Sequence, residues 1–483
     1  MTSAEQLKLA SDFPAATRDQ WRTLVEGVLR KSGVEPAGSV EDALASTTYD
    51  GFAIRPLYTA SDMATDAAPD PGMPGLSPFV RGGRADGVVA TGWDIRQRHA
   101  HPDPDVTRRA ILADLENGVT SLWLVAGERG VPVDALADVL DEVYLDLAPV
   151  TLDAGAEFAA AADALLAIHD DKGIQASEVR GNLGADPLGL RARTGTPADL
   201  EGAVALAVRV AAGYPKLRSI VVDALPYHEA GGSDGQELGA AMATAVAYLR
   251  ALTEAGLDVA DAAGQLEFRL AATSDQFGTI AKLRAARRLW ARVVEVCGAP
   301  GIAAPQHAVS SSTMMTRRDP WVNMLRTTLA CFAAGVGGAD AVTVLPFDAA
   351  IGLPDAFARR IARNTHAILL EESKVAGVID PAGGSWYVEA HTDSLARAGW
   401  AWFTELERAG GIAAALDSGL VDERIAATRD ERNRRLADGE ESITGVTVFP
   451  NKDEKPLVRA EAPPEPTGGL PRVRYAAPFE EEA

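Results

Sequence analysis

From about residue 118 onward, short runs of apolar and β-branched residues alternate with longer stretches of helical period. The runs are "VTSLWLVAG" (119–127), "EVYLDLAPV" (142–150), "GIQASEVRGN" (173–182), "RSIVVDAL" (218–225), "LEFRLAAT" (266–273), "QHAVSSS" (306–312), "DAVTVLPFD" (340–348) and "AGVIDPAGGSWYVE" (376–389). Between them lie stretches such as "DLEGAVALAVRVAAGY" and "AKLRAARRLWARVVEVCG", with apolar residues on one helical face. Strands separated by helices long enough to cross over pair in parallel. Eight such units predict an α/β chain built as a (β/α)8 barrel. A doubly wound open sheet has the same period and remains the alternative.

The flanks read differently. A helical opening, Ala4 to Lys31, leads into "DAAPDPGMPGLSPFVRGGRADG" (66–87), too rich in proline and glycine for helix or strand. An ordered arm and a flexible linker both fit it. After about residue 430 the helical pattern fades into a stretch rich in proline and charge, the composition of a linker or tail. The expected division is therefore an N-terminal arm or dimerisation segment (1–117), a barrel (118–430) and a linker or tail (431–483).

Composition narrows the class. Apolar residues make up 47% and charged residues 24% of 483, the balance of a soluble globular chain. A net charge of −22 argues against nucleic acid or an anionic membrane as partner. No run approaches the ~20 apolar residues of a membrane span, and the N-terminus lacks a signal core. Cys297 and Cys331 form no framework and show no metal spacing. Cys331, inside "LRTTLACFAAG", reads as a buried thiol. A cytoplasmic, reduced location is expected. The runs containing "ASEVRGN", "FRLAATS" and "AVSSSTM" place small polar residues where a barrel core is usually Val, Ile and Leu. Either the lumen admits a thin polar ligand, or these residues are strand ends at the mouth.

Several longer segments resemble the methylmalonyl-CoA mutase family. They are "LPDAFARRIARNTHAILLEES" with "GVIDPAGGSWYVE", the "KLRAARRLW" helix, "YHEAGGSDGQELGAAMATAVAYLRAL" and "GWDIRQRHAHPD". The resemblance runs from about residue 50 to about 445. It implies a barrel whose lumen takes a coenzyme-A thioester, with adenosylcobalamin across the mouth on a separate C-terminal domain. The cofactor would supply the radical chemistry.

The positions that such chemistry uses are altered here. The family's Tyr-His pair precedes "Q-E-A-G", whereas this chain reads Tyr227-His228-Glu229-Ala230-Gly231. If Glu-Ala-Gly sets the register, the pair falls on Leu225 and Pro226. If Tyr-His sets it, His228 still points inward. The glutamine and arginine expected around the third strand fall near Gly184 and Thr194, with Arg191 and Arg193 close by. The "T-I-R-Q-Y" tyrosine that wedges against the cofactor becomes Arg98. In "RGGRADGVVATGW", Arg84, Gly87 and Thr91 replace a tyrosine, a methionine and an arginine. "R-T-H-S-Q" becomes Pro305-Gln306-His307-Ala308-Val309. None of His99, His101, His169, His228, His307, His366 or His391 lies in the cobalt-ligating "D-x-H-x-x-G", and no intact cobalamin-binding domain is recognisable.

The resemblance therefore points to the non-catalytic subunits of heterodimeric members. It assigns no catalytic, cofactor-binding or metal residue to this chain. Adenosylcobalamin would be bound by a catalytic large subunit that interconverts (R)-methylmalonyl-CoA and succinyl-CoA. "RRIARNT" is expected as a helix packed on the last strand, its arginines pairing acids. "YDGFAIRPLYTASD" (49–62) looks like a small-subunit arm. Two other readings remain: the catalytic barrel of a split mutase of isobutyryl-CoA type, and an acyl-CoA-binding module.

Overall fold

The computed structural model describes residues 14–34, 38–63 and 70–480. Helix α1 (Arg18–Lys31) starts at Thr17, whose hydroxyl and backbone exchange hydrogen bonds with Gln20 in a capping box. The first residues of the helix expected from Ala4 lie outside the described residues. Eight parallel strands close into a barrel: β1 (Asp94–His99), β2 (Ser121–Val125), β3 (Val150–Asp153), β4 (Gly181–Ala185), β5 (Leu217–Asp223), β6 (Leu266–Ala272), β7 (Gln306–Ser310) and β8 (Ala341–Thr343). β8 pairs back onto β1 through Ala341–Asp94 and Val342–Ile95, which removes the open-sheet alternative. Six of the seven crossovers carry a helix: α2 (Pro104–Leu115), α3 (Phe158–Asp171), α4 (Leu200–Gly213), the short α5 (Leu225–Glu229) with α6 (Asp234–Glu254), α7 (Gln276–Val296) and α8 (Val322–Val336); the β2–β3 connection holds only short helical turns between Gly127 and Val139. After β8 come α9 (Ala356–Ala367), α10 (Trp386–Arg408) and α11 (Leu420–Ala437).

The first barrel strand is Asp94–His99, ahead of the region where the alternation begins, and three expected strands differ. The run 173–182 is turn and loop up to Arg180, and its strand begins only at Gly181. The run 142–150 is mostly turn. Val143 and Leu145 are buried while Tyr144 and Asp146 are exposed, so burial alternates as in a strand until Leu147, which is exposed and breaks the pattern. Yet Leu147 and Ala148 both donate to Tyr144 O, rolling the segment up, and the strand begins only at Val150. The run 376–389 is not a strand. Ser385 accepts from the Val388 N–H and caps α10, so "WYVE" begins a helix. "RRIARNT" does lie in a helix after the last strand, and Arg363 pairs with Asp114 at 2.5 Å.

The family-like "KLRAAR" of α7 ties the molecule together. Buried Lys282 reaches Asp234 at 2.8 Å and Glu237 at 2.7 Å on α6. Buried Arg284 pairs with Asp380 and with Glu389, 2.6 Å away. Arg287 donates to the Phe79, Val80 and Gly337 carbonyls and to the Gln306 side chain. α10 packs closely on α6 because Gly239 faces Gly399; a Cβ on Gly239 would come within 2.6 Å of Trp402. Residues before the barrel dock on the same side. Asp50 accepts from Ser233 at 2.5 Å, and the Tyr49 hydroxyl donates to Glu441 at 2.7 Å. Cys331 is fully buried, and burial raises its thiol pKa.

Candidate functional site: the barrel mouth

Contacts between strands that are not neighbours in the barrel must cross its lumen. Trp123 on β2 meets His307 on β7 edge-to-face at 5.4 Å between centroids. The Arg269 guanidinium from β6 lies 4.1 Å from the Trp123 ring centre, and that of Arg98 from β1 lies 5.1 Å from it. Trp123 packs with Leu225, Ala271 and Val309, and Leu345 covers the cluster. One layer deeper, Arg96 spans the lumen to Glu267 at 2.5 Å and also binds Asp94 and Ser121. An indole, a cluster of aliphatic side chains and buried charges occupy the axis. The polar residues of "AVSSSTM" are spent at the strand end: Ser310 accepts from Leu345 N–H, Ser311 meets His228 and Ser312 donates to Glu229. The strand-end reading of these residues is the one observed.

The segment 453–480 is laid across the loops that follow the strands, the face where barrels of this kind carry their sites. Leu470, Val473 and Tyr475 donate backbone hydrogen bonds to the carbonyls of Ala192, Glu229 and Thr313. Arg459 reaches Asp348 and Asp355, and Glu480 accepts from the Arg317 and Arg318 N–H groups. Charges continue from this strap into the lumen in alternating sign. Arg129 and Arg472 both hold Glu465. Arg472 then meets Glu229 at 3.2 Å, and Glu229 meets Arg193 at 2.6 Å. Arg193 meets Asp223 at 3.0 Å, and Arg269 lies 3.3 Å from Asp223 and 3.7 Å from Asp153. Trp123 Nε1–H donates to Asp153 at 3.1 Å. Burial opposes ionisation of Glu229, but Arg472 and Arg193 outweigh it and hold its pKa well below the ordinary value.

Leu225 contacts the lumen cluster, and Pro226 sits beside it in α5. His228 is turned instead toward Ser311, 2.6 Å from Nε2, and Glu237, 3.5 Å from Nδ1. Burial, then the Lys282 ammonium, push its pKa down to about 3, so the imidazole is neutral. Arg193 reaches the mouth but is spent on two carboxylates. Arg191 lies outside, paired with Asp417. Gly184 is in β4 with a positive φ, where a Cβ would run into Leu152 O. The Thr194 hydroxyl donates to Leu190 O. Arg84 donates to Gly87 O, Gly87 faces Ile379, and Thr91 donates to Gly92 O. Gln306 faces Arg287 and Leu283 O, away from the lumen, while His307 Nε2 lies 2.7 Å from the Thr343 hydroxyl. Trp123, Asp153, Arg269, Glu465 and Arg472 are central here and were not singled out by the sequence. The charged Arg269 inside the strand "LEFRLAA" was the one available signal.

A sequence model of the family described as methylmalonyl-CoA mutase matches residues 47–126 and 124–466. The chain belongs to that family. A Streptomyces virginiae protein named methylmalonyl-CoA mutase small subunit is 62% identical over 478 residues, covering 98% of this chain and 77% of that protein. The small subunit so named from Propionibacterium freudenreichii subsp. shermanii is 42% identical, covering 92% of this chain and 70% of that protein. The methylmalonyl-CoA mutase of Escherichia coli K12 is 29% identical, covering 84% and 61%.

Mutases of this family depend on cobalamin, so the mouth must be asked whether it fits a corrin. A corrin needs an open platform at the strand ends and a free histidine beneath it. Here the strap crosses that face, Arg98 stands in the wedge position, and Trp123 fills the axis below. His99, His169, His228, His307, His366 and His391 are all buried, and His101 Nδ1 accepts from Asp103 N–H. These residues do not fit the group. Among the described residues no cluster of three or more His, Cys, Asp or Glu could hold a metal ion, and no helix is long and apolar enough to cross a membrane.

Proposed function

We propose that this chain is the non-catalytic small subunit of an adenosylcobalamin-dependent methylmalonyl-CoA mutase. A catalytic large subunit binds the cofactor and interconverts (R)-methylmalonyl-CoA and succinyl-CoA in the cytoplasm. This chain contributes the matching barrel of a heterodimer and is inactive alone. The observation that carries the reading is Trp123, which packs across the lumen where a thioester would thread. The order of identities agrees: 62%, 49% and 42% to proteins named small subunit, against 30%, 30% and 29% to proteins named only methylmalonyl-CoA mutase. The residues ahead of β1, within the arm expected over 1–117, act as the pairing segment. Leu24 and Val28, one turn apart on α1, are 71% and 63% exposed, apolar surface of the kind a partner covers.

Light scattering after gel filtration tests this. The chain mixed with a catalytic mutase subunit from the same source should run as a one-to-one complex near the sum of the two masses. Two species that ignore each other would overturn the assignment.

A further inference from the structure

The alternating chain of charges at the mouth is balanced. Arg129, Arg472, Arg193 and Arg269 face Glu465, Glu229, Asp223 and Asp153. Arg98 is left over. Among the described residues its side chain forms no ion pair and no hydrogen bond; it lies against the Trp123 ring, and Asp153 and Glu465 act on it only through longer-range attraction, opposed by Arg129 and Arg472. It is partly buried, so solvent reaches it. Burial pushes its pKa down to about 10, which leaves it cationic at neutral pH.

Its neighbour on the same indole is also unfinished. Arg269 is 3% exposed, and its Nε and Nη2 have no hydrogen-bond partner. Arg129 Nε is a further buried nitrogen without one. Buried guanidinium N–H groups are rarely left unmade, because their desolvation is not returned. Stacking on Trp123 offsets part of that cost for the π face. It does nothing for the N–H edges. A guanidinium edge is a fork whose two parallel donors match the two oxygens of a carboxylate or phosphate.

We propose that Arg98 and Arg269 form a binding site for a small oxyanion, a carboxylate or phosphate group seated beside Trp123 at the barrel mouth. The group arrives from the solvent side, past Arg98, and takes up the donors that the chain's own carboxylates leave free. One oxyanion matches Arg98, the mouth arginine without an ion pair. Trp123 and Leu225 limit how deep the ligand goes, so the site takes a terminal group and not a threaded thioester. This inference is independent of the partner subunit, and the isolated chain tests it.

The full chain is titrated with inorganic phosphate at constant ionic strength, chloride replacing phosphate, and followed by calorimetry and thermal unfolding. A saturable heat and a rising unfolding midpoint are expected. Arg98→Ala should weaken phosphate binding at least about tenfold, because a bidentate charged contact is lost. Arg98→Lys, which keeps the charge without the fork, should fall between. Asp153 keeps Arg269 when Arg98 is removed, so the variant is expected to fold. A parallel titration with methylmalonyl-CoA separates the sources. Phosphate binding that depends on Arg98 supports a free-ion site. Arg98-dependent binding of the thioester alone supports a site for the anionic end of a larger ligand. No saturable binding of either, or equal binding by parent and Arg98→Ala, overturns the proposal.

Discussion

The α7 hub and the barrel mouth are both buried charge networks, and they differ in completeness. At the hub Lys282, Arg284 and Arg287 each meet carboxylates or carbonyls from separate parts of the chain. At the mouth Arg98 makes no ion pair among the described residues, Arg269 keeps unpaired nitrogens, and a tryptophan takes the centre. The hub's Lys282, Arg284 and Arg287 lie in a segment that carries the family resemblance, whereas Arg98 and Leu225 at the mouth stand where the resemblance breaks. A family motif can thus mark what the scaffold needs, while function is read from the site itself.

Breaking the hub should cost most. Arg284→Ala leaves Asp380 and Glu389 buried without their cation and should destabilise by about 3–5 kcal/mol in urea unfolding. A loss under ~1 kcal/mol, as for a surface pair, would mean the hub is no more structural than the exterior. Trp123→Ala should cost about 3 kcal/mol, the low end for a buried aromatic, because the lumen wall relaxes only partly. A neutral effect would show that the axis is not packed by the indole.

The third prediction concerns acid. Burial pushes His228, His99 and His366 each down to about 3, from ~6.5 unfolded. Folded, they stay neutral; unfolded, they take up protons once the pH falls below ~6.5. Their contribution to stability is full above that pH and is lost progressively toward pH 3. His228→Gln should remove one proton from this dependence, about 1.4 kcal/mol per pH unit in the slope between pH 6 and 4. An unchanged slope would mean His228 is protonated in the fold. The smallest effect is expected at the surface. Asp417 is 61% exposed, so Arg191→Ala should cost under ~1 kcal/mol. A larger loss would place Arg191 among the mouth residues.

The barrel was legible wherever strands show apolar runs, as in Ser121–Val125 and Leu266–Ala272. β1 was not, because Asp94, Arg96 and Arg98 alternate along it and place charge in the lumen. β4 was blurred because Gly181 and Gly184 pack backbone against Val150 and Leu152 and leave no side-chain pattern. At the mouth, Arg98 and Leu225 stood out against the family motif. Trp123 did not, since "SLWLV" reads as any buried strand. Glu465 and Arg472 were hidden in a stretch with a linker's composition. It is held partly by backbone hydrogen bonds from Leu470, Val473 and Tyr475, which leave no mark in a sequence.

The central claim is that one of two similar barrels carries the cofactor. The most direct measurement is the amount of adenosylcobalamin bound per purified heterodimer, read by its absorbance against protein mass. One cobalamin per pair of chains, and none on this chain alone, is the predicted result. Two per pair, or stoichiometric binding to the isolated chain, would contradict it.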